Sequence, residues 1–120
     1  MTTTINVEIN QSFVKAYEYL QNPLNLSNWV SFFHKISQDE NGLNAETSLG
    51  PCDLAFVAPN DYGVIDYVVR DERGQEYYNP MRVLQYDEKT LLTFTTWSDE
   101  SDTLERIKSD LAKLKGILEK

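Results

Sequence analysis

A chain of 120 residues suffices for one hydrophobic core and not for two, so a single domain spanning residues 1–120 is expected. With 41% hydrophobic and 25% charged residues the chain has the composition of a folded protein. Its 11 basic and 19 acidic residues give a formal charge of −8, a field that repels phosphate backbones and anionic head groups, so neither nucleic acid nor membrane insertion is expected.

Residues Thr4 to Asn10 alternate, with Ile5, Val7 and Ile9 on one face, which is the period of a half-buried strand. Ser12 can then cap a short helix in which Phe13, Ala16, Tyr17 and Leu20 recur at helical spacing. Asn22-Pro23 restarts the chain, because Asn is a good N-cap and Pro suits the first helical position; a second short helix is predicted to run to about Asn28 and deliver Trp29 to its end.

From Phe32 to Trp97 turn signals recur at Glu40-Asn41-Gly42, Gly50-Pro51, Pro59-Asn60-Asp61, Arg73-Gly74 and Asp87-Glu88. The runs between them are rich in Val, Tyr, Phe and Thr, and predict six antiparallel strands centred near Ile36, Thr47, Phe56, Asp66, Val83 and Phe94. Pro80 lacks the N–H that a central ladder needs, so a bulge or an edge is expected there. Leu104, Ile107, Leu111, Leu114 and Leu118 step by three and four and predict a helix from about Glu100 to Glu119 with one apolar stripe. Ser98 or Asp102 is its expected cap, and Asp110, Lys113 and Lys115 read as its solvated face.

The single cysteine, Cys52, rules out an intramolecular disulfide, no run approaches the roughly 18 apolar residues of a membrane span, and Met1 to Thr4 carry no charged leader. A cytoplasmic location is therefore expected. One His and one Cys cannot make a Cys/His zinc site, and neither an EF-hand spacing nor a nucleotide-binding glycine motif occurs, so no metal and no cofactor is expected.

Several segments carry a resemblance. Ile5-Asn6-Val7-Glu8-Ile9-Asn10 with Val14 and Tyr17 to Leu20, then Asn22-Pro23-Leu24-Asn25-Leu26 and Trp29, resembles the opening of the SRPBCC superfamily. That superfamily includes START domains, pollen-allergen-like proteins and the polyketide cyclase/dehydratase group. Gly63-Val64-Ile65-Asp66, Pro80-Met81-Arg82-Val83 and Asp110-Leu111 with Leu114-Lys115 and Leu118-Glu119 are similar to that last group. The resemblance spans the chain and implies an α+β helix-grip fold: a curved antiparallel sheet of about seven strands, two short helices after the first strand, and a long C-terminal helix packed across the sheet. It also implies a cavity between sheet and helix. The segment Asp39 to Gly50 lacks the glycine-rich loop of the pollen-allergen branch, so nucleotide-like ligands gain no support.

An empty cavity of about 300 Å³ would cost on the order of 7 kcal/mol at roughly 24 cal/mol per Å³, so the space is expected to be small, wet or filled. Strand parity sets its walls. Leu92 and Phe94 are the inward choice in the last strand, Met81 and Val83 in the one before, where Arg82 would otherwise bury a charge. In the strand of Asp66, either Val64, Asp66 and Val68 face inward, or Ile65, Tyr67 and Val69 do. The first parity would make Asp66 a desolvated acid or base; the second would leave it in a cross-strand pair with Arg82.

The candidate ligand-binding residues are Trp29, Phe56, Val64, Asp66, Val68, Met81, Val83, Leu92, Phe94, Ile107, Leu111 and Leu114, and the candidate catalytic residues are Asp66 and His34, the only imidazole. Tyr67, Tyr77, Tyr78 and Tyr86 can offer hydroxyls. Three functions remain open on this reading: uptake of an apolar or amphipathic small molecule such as a lipid, polyketide or aromatic metabolite; cyclase/dehydratase chemistry on a polyketide-like substrate; or a protein-interaction domain with a vestigial pocket.

Overall fold

The computed structural model describes residues 2–120, leaving the first residue of the expected domain outside them. Strand β1 (Thr3–Ile9) is followed by helix α1 (Phe13–Leu20) and a 3-10 helix (Pro23–Asn28). A meander β2 (Phe33–Asp39), β3 (Gly42–Thr47), β4 (Gly50–Phe56), β5 (Tyr67–Arg70), β6 (Glu76–Asn79), β7 (Met81–Tyr86) and β8 (Lys89–Thr96) leads to helix α2 (Ser101–Leu118). This is the α+β helix-grip arrangement, with eight strands where about seven were expected.

Pro80 accounts for the difference. It splits one predicted strand into β6 and β7, and the ladder divides with it into the sheets β1-β8-β7 and β2-β3-β4-β5-β6. The two remain stitched together. The Ile65 amide donates to the Met81 carbonyl at 2.8 Å, the Val83 amide to Gly63 at 2.9 Å and the Thr95 amide to Pro80 at 3.0 Å. The stitch needs Gly63, which sits at φ +73° with its Cα against the Val83 carbonyl, where no side chain fits.

Register carries the predicted alternation into one inner face. Ile5 pairs with Phe94 and Val7 with Leu92 across β1 and β8, while Met81 pairs with Phe94 and Val83 with Leu92 on the other side. Met81, Val83, Leu92 and Phe94 are buried, as their parity predicts, and join one core cluster with Ile107, Leu111, Leu114 and Leu118 of α2. The two early helices start at the predicted caps: Ser12 Oγ accepts from the Lys15 amide at 3.3 Å and Asn22 Oδ1 from the Leu24 amide at 3.1 Å.

Helix α2 starts differently. Neither Ser98 nor Asp102 caps it; Glu100 stands at the N-cap without a side-chain bond, and Ser98 Oγ instead accepts from the Glu100 amide at 3.1 Å in the turn before. The far end is fastened to β1. Lys115 Nζ donates to the Glu8 carbonyl and to Glu119 Oε2, both at 2.7 Å, and Gln11 Nε2 donates to the Leu118 carbonyl at 3.0 Å. Sheet and helix therefore close tightly at the Leu114–Leu118 end and stand apart nearer Arg106. No helix among the described residues is long and apolar enough to cross a membrane.

Candidate functional site

Where the two surfaces stand apart they leave a cavity of about 180 Å³ that opens to solvent on one side. Trp29, Phe32 and Phe33 wall it on the side of the 3-10 helix, Tyr67 and Val69 come from β5, Phe94 and Thr96 from β8, and Arg106, Ile107, Asp110 and Leu111 from α2. Exposed Leu49 and Tyr77 stand at its mouth. Open at that mouth and partly polar, the space admits water, so it is not a dry void of the kind that destabilises a core.

The wall is aromatic with a polar corner. Tyr67 is only 3% exposed, its ring stacked on Phe56 at 5.1 Å and tilted against Phe33 at 6.1 Å. Its hydroxyl has no hydrogen-bond partner among the described residues. Burial, with a smaller push from the Asp110 charge, raises the phenol far above its ordinary pKa, so it is a neutral donor. Asp110, 8% exposed, lies one turn away from Ile107 on the helix stripe. Its Oδ2 accepts from the amide and the hydroxyl of Ser31, both at 3.3 Å, and no cation stands within 4.0 Å of it among the described residues. Burial pushes its carboxyl up from the usual aspartate value, while the Ser31 bonds and the charges of Arg106 and Lys113 pull the other way.

Of the candidates named from sequence, Trp29, Phe94, Ile107 and Leu111 line this cavity. Met81, Val83, Leu92 and Leu114 are on the inner face but lie in solid core, each no more than 1% exposed. Phe56 touches the back of the wall through Tyr67 and does not line the space.

Val64, Asp66 and Val68 require correction. The inward residues of this segment are Ile65, Tyr67 and Val69, the second of the two parities, and Asp66 sits outside. There its Oδ2 meets Arg82 Nη2 at 3.0 Å and its Oδ1 accepts from the Met81 amide at 2.9 Å, which is the cross-strand pair in place of a buried acid. His34 is also misplaced as a catalyst: Phe33 points inward, so His34 points outward and is exposed, its Nε2 3.4 Å from Ser48 Oγ. Asp110 is the reverse case, a residue read as solvated that is buried at the cavity. Its spacing from Ile107 and Leu114 puts it on the stripe, and that was the signal for it.

No protein-family model matches the chain, and no curated protein matches it. Solved structures do. The Zhui aromatase/cyclase from a Streptomyces species superposes with a TM-score of 0.76 at 14% identity, covering 99% of this chain and 93% of that one. A START superfamily protein from Mycobacterium smegmatis gives 0.68 at 11% identity, covering 98% and 97%.

This chain has the START-like, polyketide-cyclase-like fold. The same fold is seen in the Aha1 dimer from Colwellia psychrerythraea, at a TM-score of 0.71 and 18% identity over 99% of this chain and 96% of that one. At such identities the likeness establishes architecture, and chemistry has to be argued from the site. In this chain the space between sheet and helix is small, largely aromatic and cornered by Tyr67 and Asp110.

Proposed function

We propose that this protein binds a small, mainly apolar molecule in the cavity between α2 and the inner face of the sheet, with one polar group of the ligand held at Tyr67 and Asp110. The observation that carries this reading is a buried phenol without a hydrogen-bond partner beside a buried carboxylate with no cation within 4.0 Å among the described residues, both on the wall of a mainly apolar space. Both groups reach open volume, where water can satisfy them, and a ligand group that replaces those water bonds is held in one orientation. Burial of apolar ligand surface at about 25 cal/mol per Å² supplies the remainder of the affinity.

The cyclase/dehydratase alternative placed Asp66 and His34 in the pocket, and both lie on outer surfaces, so that version is not retained. A vestigial pocket would be packed shut, whereas about 180 Å³ is open here. The test is a screen of lipid, polyketide-like and aromatic compounds by thermal shift, followed by amide chemical-shift mapping. Ligands should move the resonances of Trp29, Tyr67 and Ile107, and Ile107→Phe, which fills the cavity, should abolish the response. A screen without binders, or binders that Ile107→Phe leaves unaffected, refutes the reading.

A further inference from the structure

Three properties of the cavity restrict its occupant further, given the ligand-binding reading on which they rest. The first is size. An apolar cavity of about 150 Å³ holds one benzene molecule, and the space here is about 180 Å³. One ring with a short substituent fits inside, whereas a fused polycycle or a long acyl chain would leave part of its apolar surface outside the mouth in water.

The second is hydrogen bonding. No side-chain N or O atom sealed from solvent lacks a partner among the described residues. The unpartnered Tyr67 hydroxyl and the Asp110 Oδ1 therefore each touch open volume, and the cavity is the volume their two residues share. Tyr67 offers a donor. Asp110 offers an acceptor, its Oδ2 being occupied by Ser31. One hydroxyl group complements both, accepting with its oxygen and donating its hydrogen.

The third is charge. A ligand carboxylate would stand beside a desolvated carboxylate in a chain of formal charge −8. A ligand ammonium would meet the Arg106 guanidinium on the same wall. The lumen holds one charge of each sign, and a neutral group suits it best.

From these we infer that the cavity takes a neutral, single-ring molecule bearing one hydroxyl group, anchored between Tyr67 and Asp110. The experiment measures dissociation constants by amide chemical-shift titration for benzyl alcohol, toluene, benzylamine, benzoate and decanoate, with wild type, Tyr67→Phe and Asp110→Asn. Benzyl alcohol should bind tightest of the five. Tyr67→Phe keeps the ring and removes the donor, and should weaken benzyl alcohol about five- to tenfold while leaving toluene within about twofold. Asp110→Asn keeps an oxygen for Ser31 and tests whether the ranking against benzylamine and benzoate depends on the carboxylate. Tighter binding of toluene, decanoate or either charged ring, or an unchanged benzyl alcohol affinity in Tyr67→Phe, overturns the hydroxyl inference and leaves the ligand-binding reading standing. Absence of cavity shifts with every probe overturns both.

Discussion

Replacing Asp110 by leucine should stabilise the fold at neutral pH while removing the polar anchor of the cavity. The residue is 8% exposed and shares the stripe of Ile107, Leu111 and Leu114, so a leucine there is buried and gains about 2 kcal/mol from apolar burial. The loss is the pair of 3.3 Å bonds from Ser31, whose exposed amide and hydroxyl return to water at a cost of about 0.5 kcal/mol. The net is about 1.5 kcal/mol. At about 2.1 cal/mol/K per residue the unfolding entropy of this chain is about 0.25 kcal/mol/K, which makes the shift in Tm about 6 °C.

The pH dependence gives a second handle on the same variant. Burial raises the Asp110 carboxyl above its unfolded value, so between those two values the folded state holds more protons than the unfolded one. The stability this contributes is fully present below the unfolded value and is lost as pH rises through the folded value. Asp110→Leu lacks this dependence, so its advantage should be largest near neutrality and shrink on acidification. Calorimetric unfolding of both proteins across that range measures it. A leucine variant that is destabilised, or whose advantage is the same at every pH, would show that the Ser31 bonds make Asp110 a structural residue and would refute the reasoning. A residue that costs stability yet occupies the cavity wall is what a binding function retains.

Gly63→Ala should cost at least about 2 kcal/mol in urea unfolding, because φ is +73° and the new Cβ would strike the Val83 carbonyl; an unaffected variant would mean the seam between the sheets yields easily. Arg82→Ala should change stability by less than about 1 kcal/mol and leave ligand binding unaltered, as should His34→Gln, since both residues are exposed and outside the cavity; a binding defect in either would reopen the roles expected of Asp66, the partner of Arg82, and of His34. Leu114→Ala should cost about 3 kcal/mol in the same unfolding assay, since its side chain is fully buried where helix and sheet close tightest; a loss below about 1 kcal/mol would mean that this end repacks freely.

Most of the fold was legible because periodicity reports burial directly. The alternation in β1, the caps Ser12 and Asn22 and the stripe of α2 each involve a single choice with one answer. The segment Val64 to Val69 was different: both of its faces carry aliphatic residues, so hydrophobicity alone could not choose between them. The choice is made by Gly63, whose close approach to Val83 sets the direction of the chain before β5 begins, and that approach is a tertiary fact. Asp110 was missed for another reason. Charged residues on a surface helix are solvated by default, and its helical phase, which contradicted the default, was outweighed by residue type. The cavity wall thus joins residues that the pattern named, Trp29, Phe94, Ile107 and Leu111, to Tyr67 and Val69, whose parity it left open, and to Asp110, which it read as solvated.

Pro80 makes a turn in the architecture by omission. A residue that cannot donate ends the ladder of β6, and Met81, freed from it, gives its own amide to the Asp66 carboxylate on the outer surface. Two sheets thus follow one another along one chain, and the cavity facing α2 takes its wall from both, Tyr67 and Val69 from one, Phe94 and Thr96 from the other. A hydrogen atom the backbone does not have marks the boundary between the two sheets that wall the cavity.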